Sequence, residues 1–213
     1  MSMTTTTPTT ASSLLSFWRH SLAGLRVILV LTVLLGLAYP LAMTGVAQVA
    51  FPWRADGSLL TSTGEHTTDR SKAIGSQLIA QGFTGAQWFH PRPSVAGENG
   101  YDTLASGGSN LGPLNPDLAT TVSERKAQVA AENGVSPSQV PADAVTASFS
   151  GLDPAISPAY AAIQVNRVAQ ARGLTVAQVQ QLVAENTSGR PLGVLGDPTV
   201  NVLTLNIALQ NLG

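Results

Sequence analysis

The stretch Val27-Ile28-Leu29-Val30-Leu31-Thr32-Val33-Leu34-Leu35-Gly36-Leu37-Ala38-Tyr39-Pro40-Leu41-Ala42-Met43-Thr44-Gly45-Val46-Ala47-Gln48 decides how the chain is organised. It lies within 27 uncharged residues that separate Arg26 from Arg54. Thr32, Thr44 and Gln48 are the polar interruptions in an otherwise aliphatic run. At ~1.5 Å per residue, residues 27–48 form a helix of ~33 Å, enough to cross a hydrocarbon core of ~30 Å. No such run recurs downstream. The sequence therefore reads as an α+β protein: one N-terminal transmembrane helix, then a single mixed extracytoplasmic domain that is helix-rich in its C-terminal half. The expected boundaries are a disordered tail at 1–16, an anchor at 17–50 and the domain at 51–213.

Gly45-Val46-Ala47 has the small residues of a signal-peptide cleavage site. However, the apolar part of a signal is usually ~7–15 residues, and this run is longer, which favours a retained anchor. Pro40 predicts a kink that lipid-embedded helices tolerate. Arg19, His20 and Arg26 precede the span, and no acid occurs before Asp56. Positive charge on the N-terminal flank predicts a cytoplasmic N-terminus and a domain outside. Trp18, Phe51 and Trp53 fall near the ends, where aromatic rings favour the interface.

Composition narrows the chemistry. The chain has 0 cysteines, so disulfides and thiolate metal sites are excluded. With Arg19 and Arg26 before the span, 9 Lys+Arg face 12 Asp+Glu beyond it, and nothing suggests a nucleic-acid partner. Charged residues are 11% of the chain, a sparse surface that suits either cover by partners or a bias towards small residues.

Beyond the anchor, residues 51–115 are rich in Gly, Ser and Thr. Short apolar pieces such as Leu59-Leu60, Ile74 with Leu78-Ile79, and Trp88-Phe89 read as short strands, one short helix and long ordered loops. Helix signals then dominate. Asn115-Pro116 is a cap followed by proline at the first helical position, with Gly134 as the stop. Ser157-Pro158 opens a second helix closed by Gly173. Thr175 with Gln178 makes a capping box for a third. Asp197-Pro198 is expected to start a last helix through Val200–Leu212. Gly134–Val140 echoes Gly173–Val179, each restarting a helix after a Ser/Thr-x-x-Gln cap.

Catalytic constellations are scarce. There is no phosphate-binding G-x-x-x-x-G-K-[ST], and the lysines, Lys72 and Lys126, lie in no glycine-rich loop. His20, His66 and His90 lack metal-ligand spacing and are expected at the surface or in loops. Ser106 and Ser109 are flanked by glycines, but Gly107-Gly108-Ser109-Asn110-Leu111 is not a nucleophile elbow. No catalytic residue and no metal site is therefore assigned.

The distinctive segment is Ser106-Gly107-Gly108-Ser109-Asn110-Leu111-Gly112-Pro113-Leu114-Asn115-Pro116. Its glycines permit positive φ or close backbone approach. Asn110 and Asn115 can bond their own turns, and the run ends at a helix N-terminus, which suits anions. It reads either as a rigid self-bonded loop or as a docking or ligand loop, with Ser106, Gly107, Gly108, Ser109, Asn110, Gly112 and Asn115 as candidates. A second motif offers Thr146, Ser148, Ser150 and Asp153.

These stretches resemble the KdpC family, the small subunit of the Kdp potassium-transporting P-type ATPase. The likeness includes Ser106–Pro116, Arg92-Pro93-Ser94, Val140–Ser148, Ser150-Gly151-Leu152-Asp153-Pro154 and Ile156-Ser157-Pro158. It continues through Gln164, Arg167-Val168-Ala169, Ala171–Leu174, Leu192-Gly193, Leu195-Gly196 and Val200–Leu203, in the same order. Phe149 stands where the family commonly has glycine, and Ala155 where it commonly has histidine. The resemblance implies a non-catalytic accessory subunit of an ATP-driven, high-affinity potassium uptake complex in the bacterial cytoplasmic membrane. Its implied partners are the potassium-conducting subunit, the ATP-hydrolysing subunit and a further small membrane subunit. It also implies an effect on ATP affinity, with nucleotide near the serine-glycine stretches. The charge flanks conflict with that last point, because they put the loop on the side opposite ATP. An anchored serine enzyme using Ser109 or Ser106 and a binding module unrelated to transport are the alternatives.

Overall fold

A computed structural model describes residues 10–212, with side chains from Leu14 onward. Residues 1–9 of the expected tail lie outside the described residues. The rest of that tail is helical, since α1 spans Thr10–Val33 and so begins before the expected Phe17. Helix continues through a π-turn at Leu34–Ala38 into α2, Tyr39–Ala50. The apolar stretch Leu14–Ala50 covers 37 residues at a mean hydropathy of 2.3. One helix of this length and composition fits a single-pass membrane protein.

At Pro40 the helix is not broken, and a π-turn lies just before it. Proline has no N–H, and its ring crowds the carbonyl one turn back. The helix widens just before it, where the Tyr39 N–H reaches Leu34 O. A π-turn of this kind relieves the clash without breaking the helix. After α2, the short α3 (Pro52–Ala55) precedes a division into two compact units between Ala55 and Asp56.

The second unit holds two small antiparallel sheets. In the first, β1 (Leu59–Thr61) lies between β2 (His66–Thr67) and β3 (Ala73–Ser76), with Leu59 opposite Thr67 and Ser76. In the second, β6 (Thr199–Asn201) lies between β4 (Ala155–Ile156) and β5 (Thr187–Ser188). Four helices, α4 (Pro116–Asn133), α5 (Pro158–Arg172), α6 (Val176–Glu185) and α7 (Val202–Leu212), supply most of the remaining regular structure. Val168, Val179, Val200, Leu205 and Leu209 are all fully buried in the core that α5, α6, α7 and β6 share. Burying each such side chain contributes ~1.5–3 kcal/mol.

The caps explain the helix ends. Asn115 Oδ1 accepts from the Asp117 N–H, Ser157 Oγ from Tyr160, and Thr175 forms a reciprocal capping box with Gln178. Gly134 and Gly173 close α4 and α5 in the left-handed region, as their lack of Cβ allows. The echo at Gly134 is only partial. Ser136 and Gln139 do form a capping box, but it opens a 3-10 turn over Pro137–Gln139, with Pro141 following closely.

Three expectations of regular structure fail. Leu78-Ile79 forms a turn, with Ser76 Oγ accepting from the Leu78 N–H. Trp88-Phe89 is not a strand either. The Phe89 N–H and carbonyl are both paired, but by the side-chain amide of Asn206 rather than by a neighbouring strand. The last segment is divided, because Thr199–Asn201 joins a sheet before α7 starts. Asn201 Oδ1, accepting from the Thr204 N–H, caps it in place of Asp197.

Candidate functional site

The two candidate motifs meet. The Ser150 carbonyl accepts from the Gly107 N–H at 2.9 Å and from Ser106 Oγ at 2.9 Å. Gly108 passes so close that a Cβ there would lie 2.9 Å from the Phe149 carbonyl oxygen. It is therefore glycine for close approach, and its φ is not positive. Gly151 is under both constraints, with φ +68° and a hypothetical Cβ 2.6 Å from Ala96 Cβ.

A third stretch, 92–102, completes the frame. Ser94 Oγ donates to the Gly151 carbonyl at 2.6 Å and accepts from the N–H groups of Ala96 and Tyr101. Tyr101, itself at φ +58°, donates its hydroxyl to the Arg92 carbonyl. The Ser148 N–H donates to the Pro93 carbonyl, and Ser148 is only 2% exposed. Asp153 pairs with Arg92 at 2.9 Å and accepts from the Ala155 N–H. Ser94, Tyr101 and Gly151 were not singled out as site residues in the sequence. Ser94 and Gly151 lie in Arg92-Pro93-Ser94 and Ser150-Gly151, which carried the family resemblance, whereas nothing local marked Tyr101.

The remaining candidates are peripheral to this joint. Thr146 donates to the Ala142 carbonyl and closes the 3-10 turn before Ser148. Asn115 caps α4 as expected. Asn110 adopts φ +53° but makes no side-chain bond to its own turn, contrary to expectation. Gly112 takes part through its carbonyl, which accepts from the Asn115 N–H. The anion-cradle reading weakens here, because the Gly107 amide is already used and α4 begins with its own Asp117 carboxylate.

Ser94, Ser106 and Ser148 are placed for scaffolding. Ser106 Oγ donates to a carbonyl, not to an imidazole. His90 is half-buried, with Nδ1 3.1 Å from Glu132 and Nε2 3.0 Å from the Gly85 carbonyl. Burial first, then the Arg167 guanidinium, hold its pKa below the ordinary value, against the pull of Glu132 and of Gly85. Among the described residues no cluster of three or more His, Asp or Glu could hold a metal ion.

The sequence also named Arg167 and Gln164 without assigning them a role. The Arg167 side chain is 6% exposed and reaches the carbonyls of Ala86 at 2.7 Å and Trp88 at 3.0 Å. It also donates to Asn133 and Gln164. Gln164 in turn pairs both the N–H and the carbonyl of His90.

The profile described as "KdpC: K+-transporting ATPase, c chain" matches residues 21–211. The chain is 52% identical over 199 residues to the potassium-transporting ATPase KdpC subunit of Kineococcus radiotolerans, covering 93% of this chain and 97% of that one. It is 52% identical over 183 residues to the KdpC subunit of Beijerinckia indica, covering 86% and 89%. Against the KdpC subunit of Mycobacterium tuberculosis, identity is 50% over 195 residues, covering 91% and 99%.

Proposed function

Since the chain belongs to the KdpC family of potassium-transporting ATPase subunits, we propose that it is a non-catalytic subunit that assembles and stabilises the complex. Its docking surface is the frame built from residues 92–116 and 146–153. The α1–α2 span anchors it in the cytoplasmic membrane with the N-terminus inside and residues 56–213 outside. It docks on the potassium-conducting and ATP-hydrolysing subunits and on a further small membrane subunit. Any effect on ATP affinity is exerted through the hydrolysing subunit.

One observation carries the reading: the stretches that resemble the family, far apart in sequence, converge on one frame joined at Ser150 and Gly151. Such cross-bonding fixes a surface, and Ser94 and Ser106 donate their hydroxyls to carbonyls within it. Orientation rests on the basic flank Arg19, His20 and Arg26.

Two measurements test it. The tagged ATP-hydrolysing subunit should bring this chain down with the potassium-conducting subunit, and recovery should fall in Gly108→Val while membrane insertion is unchanged. Equal recovery and equal growth at limiting potassium would remove the docking role. Ser123→Cys, exposed on α4 in a chain with 0 native cysteines, should react with an impermeant maleimide in intact cells stripped of any outer barrier. Labelling only after lysis would reverse the orientation.

A further inference from the structure

The frame carries apolar side chains that its own packing does not use. Leu104 and Leu114 are each 96% exposed, and Phe149 is 92% exposed. They project from backbone held on both sides. Leu104 follows Asp102, whose carboxylate accepts the Leu104 N–H, and Phe149 lies against Gly108. Leu114 immediately precedes the α4 cap. Fixed backbone under a protruding apolar side chain lowers the ordering cost of binding, as an interface anchor requires.

The surrounding charge limits what can be bound. No charged residue occurs between Asp102 and Asp117 or between Asp143 and Asp153. No Lys or Arg occurs between Arg92 and Arg125 or between Lys126 and Arg167. The flanking arginines are turned inward, Arg92 onto Asp153 and Arg125 onto the Val145 carbonyl. Glu98, Asp102 and Asp117 therefore edge the frame with exposed negative charge. Such an edge repels triphosphates. It also repels anionic lipid headgroups, which interfacial segments usually meet with Lys or Arg.

We propose that Leu104, Leu114 and Phe149 are anchors that enter apolar pockets ringed by Lys or Arg on a protein subunit of the complex, and that the same face excludes nucleotide and lipid. This rests on the accessory-subunit reading and specifies the partner surface.

The test uses the full chain co-expressed with its partner subunits. Replacing Leu104, Leu114 and Phe149 together by serine should lower the amount retained on the tagged ATP-hydrolysing subunit roughly tenfold or more. The thermal midpoint of the chain itself should not move. Glu98→Lys should lower retention further at low salt than at high salt. Unchanged retention of the triple variant in a complex that otherwise forms would overturn the anchors alone. Failure of the unaltered chain to be retained at all would overturn the accessory-subunit reading beneath them. A nitrobenzoxadiazole probe on Leu114→Cys then separates the occupants. Its emission should shift to the blue in the reconstituted complex and not in phosphatidylglycerol vesicles with the chain alone. A shift in vesicles alone would assign the face to lipid, and no shift in either would leave Leu114 out of any interface; each result overturns the proposal. Saturable binding of trinitrophenyl-ATP to the chain in micelles, lost in Ser106→Ala, would overturn the exclusion of nucleotide.

Discussion

Two loop regions of the domain lack regular structure, yet they are held in opposite ways. Residues 85–90 pass from exposed Gly85–Gln87 to buried Phe89 and are held by long side chains from helices: Arg167 and Gln164 of α5 and Asn206 of α7. The frame of 92–109 and 148–153 lies at the surface and is held by serine hydroxyls, backbone amides and glycines packed against carbonyls. Backbone buried at Phe89 must have its polar groups satisfied, and with no strand beside it the Asn206 amide supplies both partners. The surface frame has water as an alternative partner. Its bonds therefore serve shape more than solvation, and that shape suits a docking face.

The largest effect should break the first region. Arg167→Ala would remove the buried donor from the carbonyls of Ala86 and Trp88 and from the Asn133 amide oxygen, and would leave Gln164 Oε1 with the His90 N–H alone. Losing one side of such a network costs ~3–5 kcal/mol. Denaturation of the full chain in micelles, followed by Trp88 fluorescence, should show the loss. Arg167→Lys should restore little of it, because an ammonium cannot span those acceptors as a planar fork does.

A smaller loss should follow in the frame. Gly151→Ala meets both a positive φ and a 2.6 Å approach to Ala96, for ~1–3 kcal/mol of strain. Gly108→Val should cost a similar amount, but by crowding the Phe149 carbonyl. Both should depress partner recovery more than Arg167→Lys does at matched stability. If stability alone tracked recovery, the contrast between an interior clamp and a docking face would disappear.

Asn115→Ala should cost ~1 kcal/mol through the lost cap on α4, read as a lower unfolding midpoint. Aspartate at 115 should recover it.

The smallest effect is on pH. His90 has a native pKa below its ordinary 6.5, so the unfolded chain binds more protons as pH falls past that value. The stability that neutral His90 contributes is complete above 6.5 and is lost as pH falls towards the native-state pKa. Unfolding midpoints compared at pH 7.5 and pH 5 should show this, and His90→Gln should flatten it. An equal slope in His90→Gln would overturn the assignment to His90.

Features with a local cause were legible in the sequence. The apolar run after Arg26 pointed to a helix long and apolar enough to cross a membrane, and Asn115, Gly134, Ser157, Gly173 and Thr175 marked the helix ends by chemistry confined to a few neighbouring residues. The family pattern pointed to Arg92–Ser94, Ser106–Pro116 and Ser150–Asp153 as related stretches without saying how. Tertiary structure alone decided the rest, because each remaining feature depends on groups distant in sequence. Trp88-Phe89 reads as a strand until Asn206, 117 residues from Phe89, takes both of its backbone groups. Val200 reads as helix until pairing with Ile156 and Thr187 draws it into a sheet. Gly108 reads as a site of positive φ or of close approach until the Phe149 carbonyl, 2.9 Å from where its Cβ would lie, decides for close approach. Local propensity is written in a few consecutive residues, whereas which backbone groups find each other is settled only when the chain closes on itself.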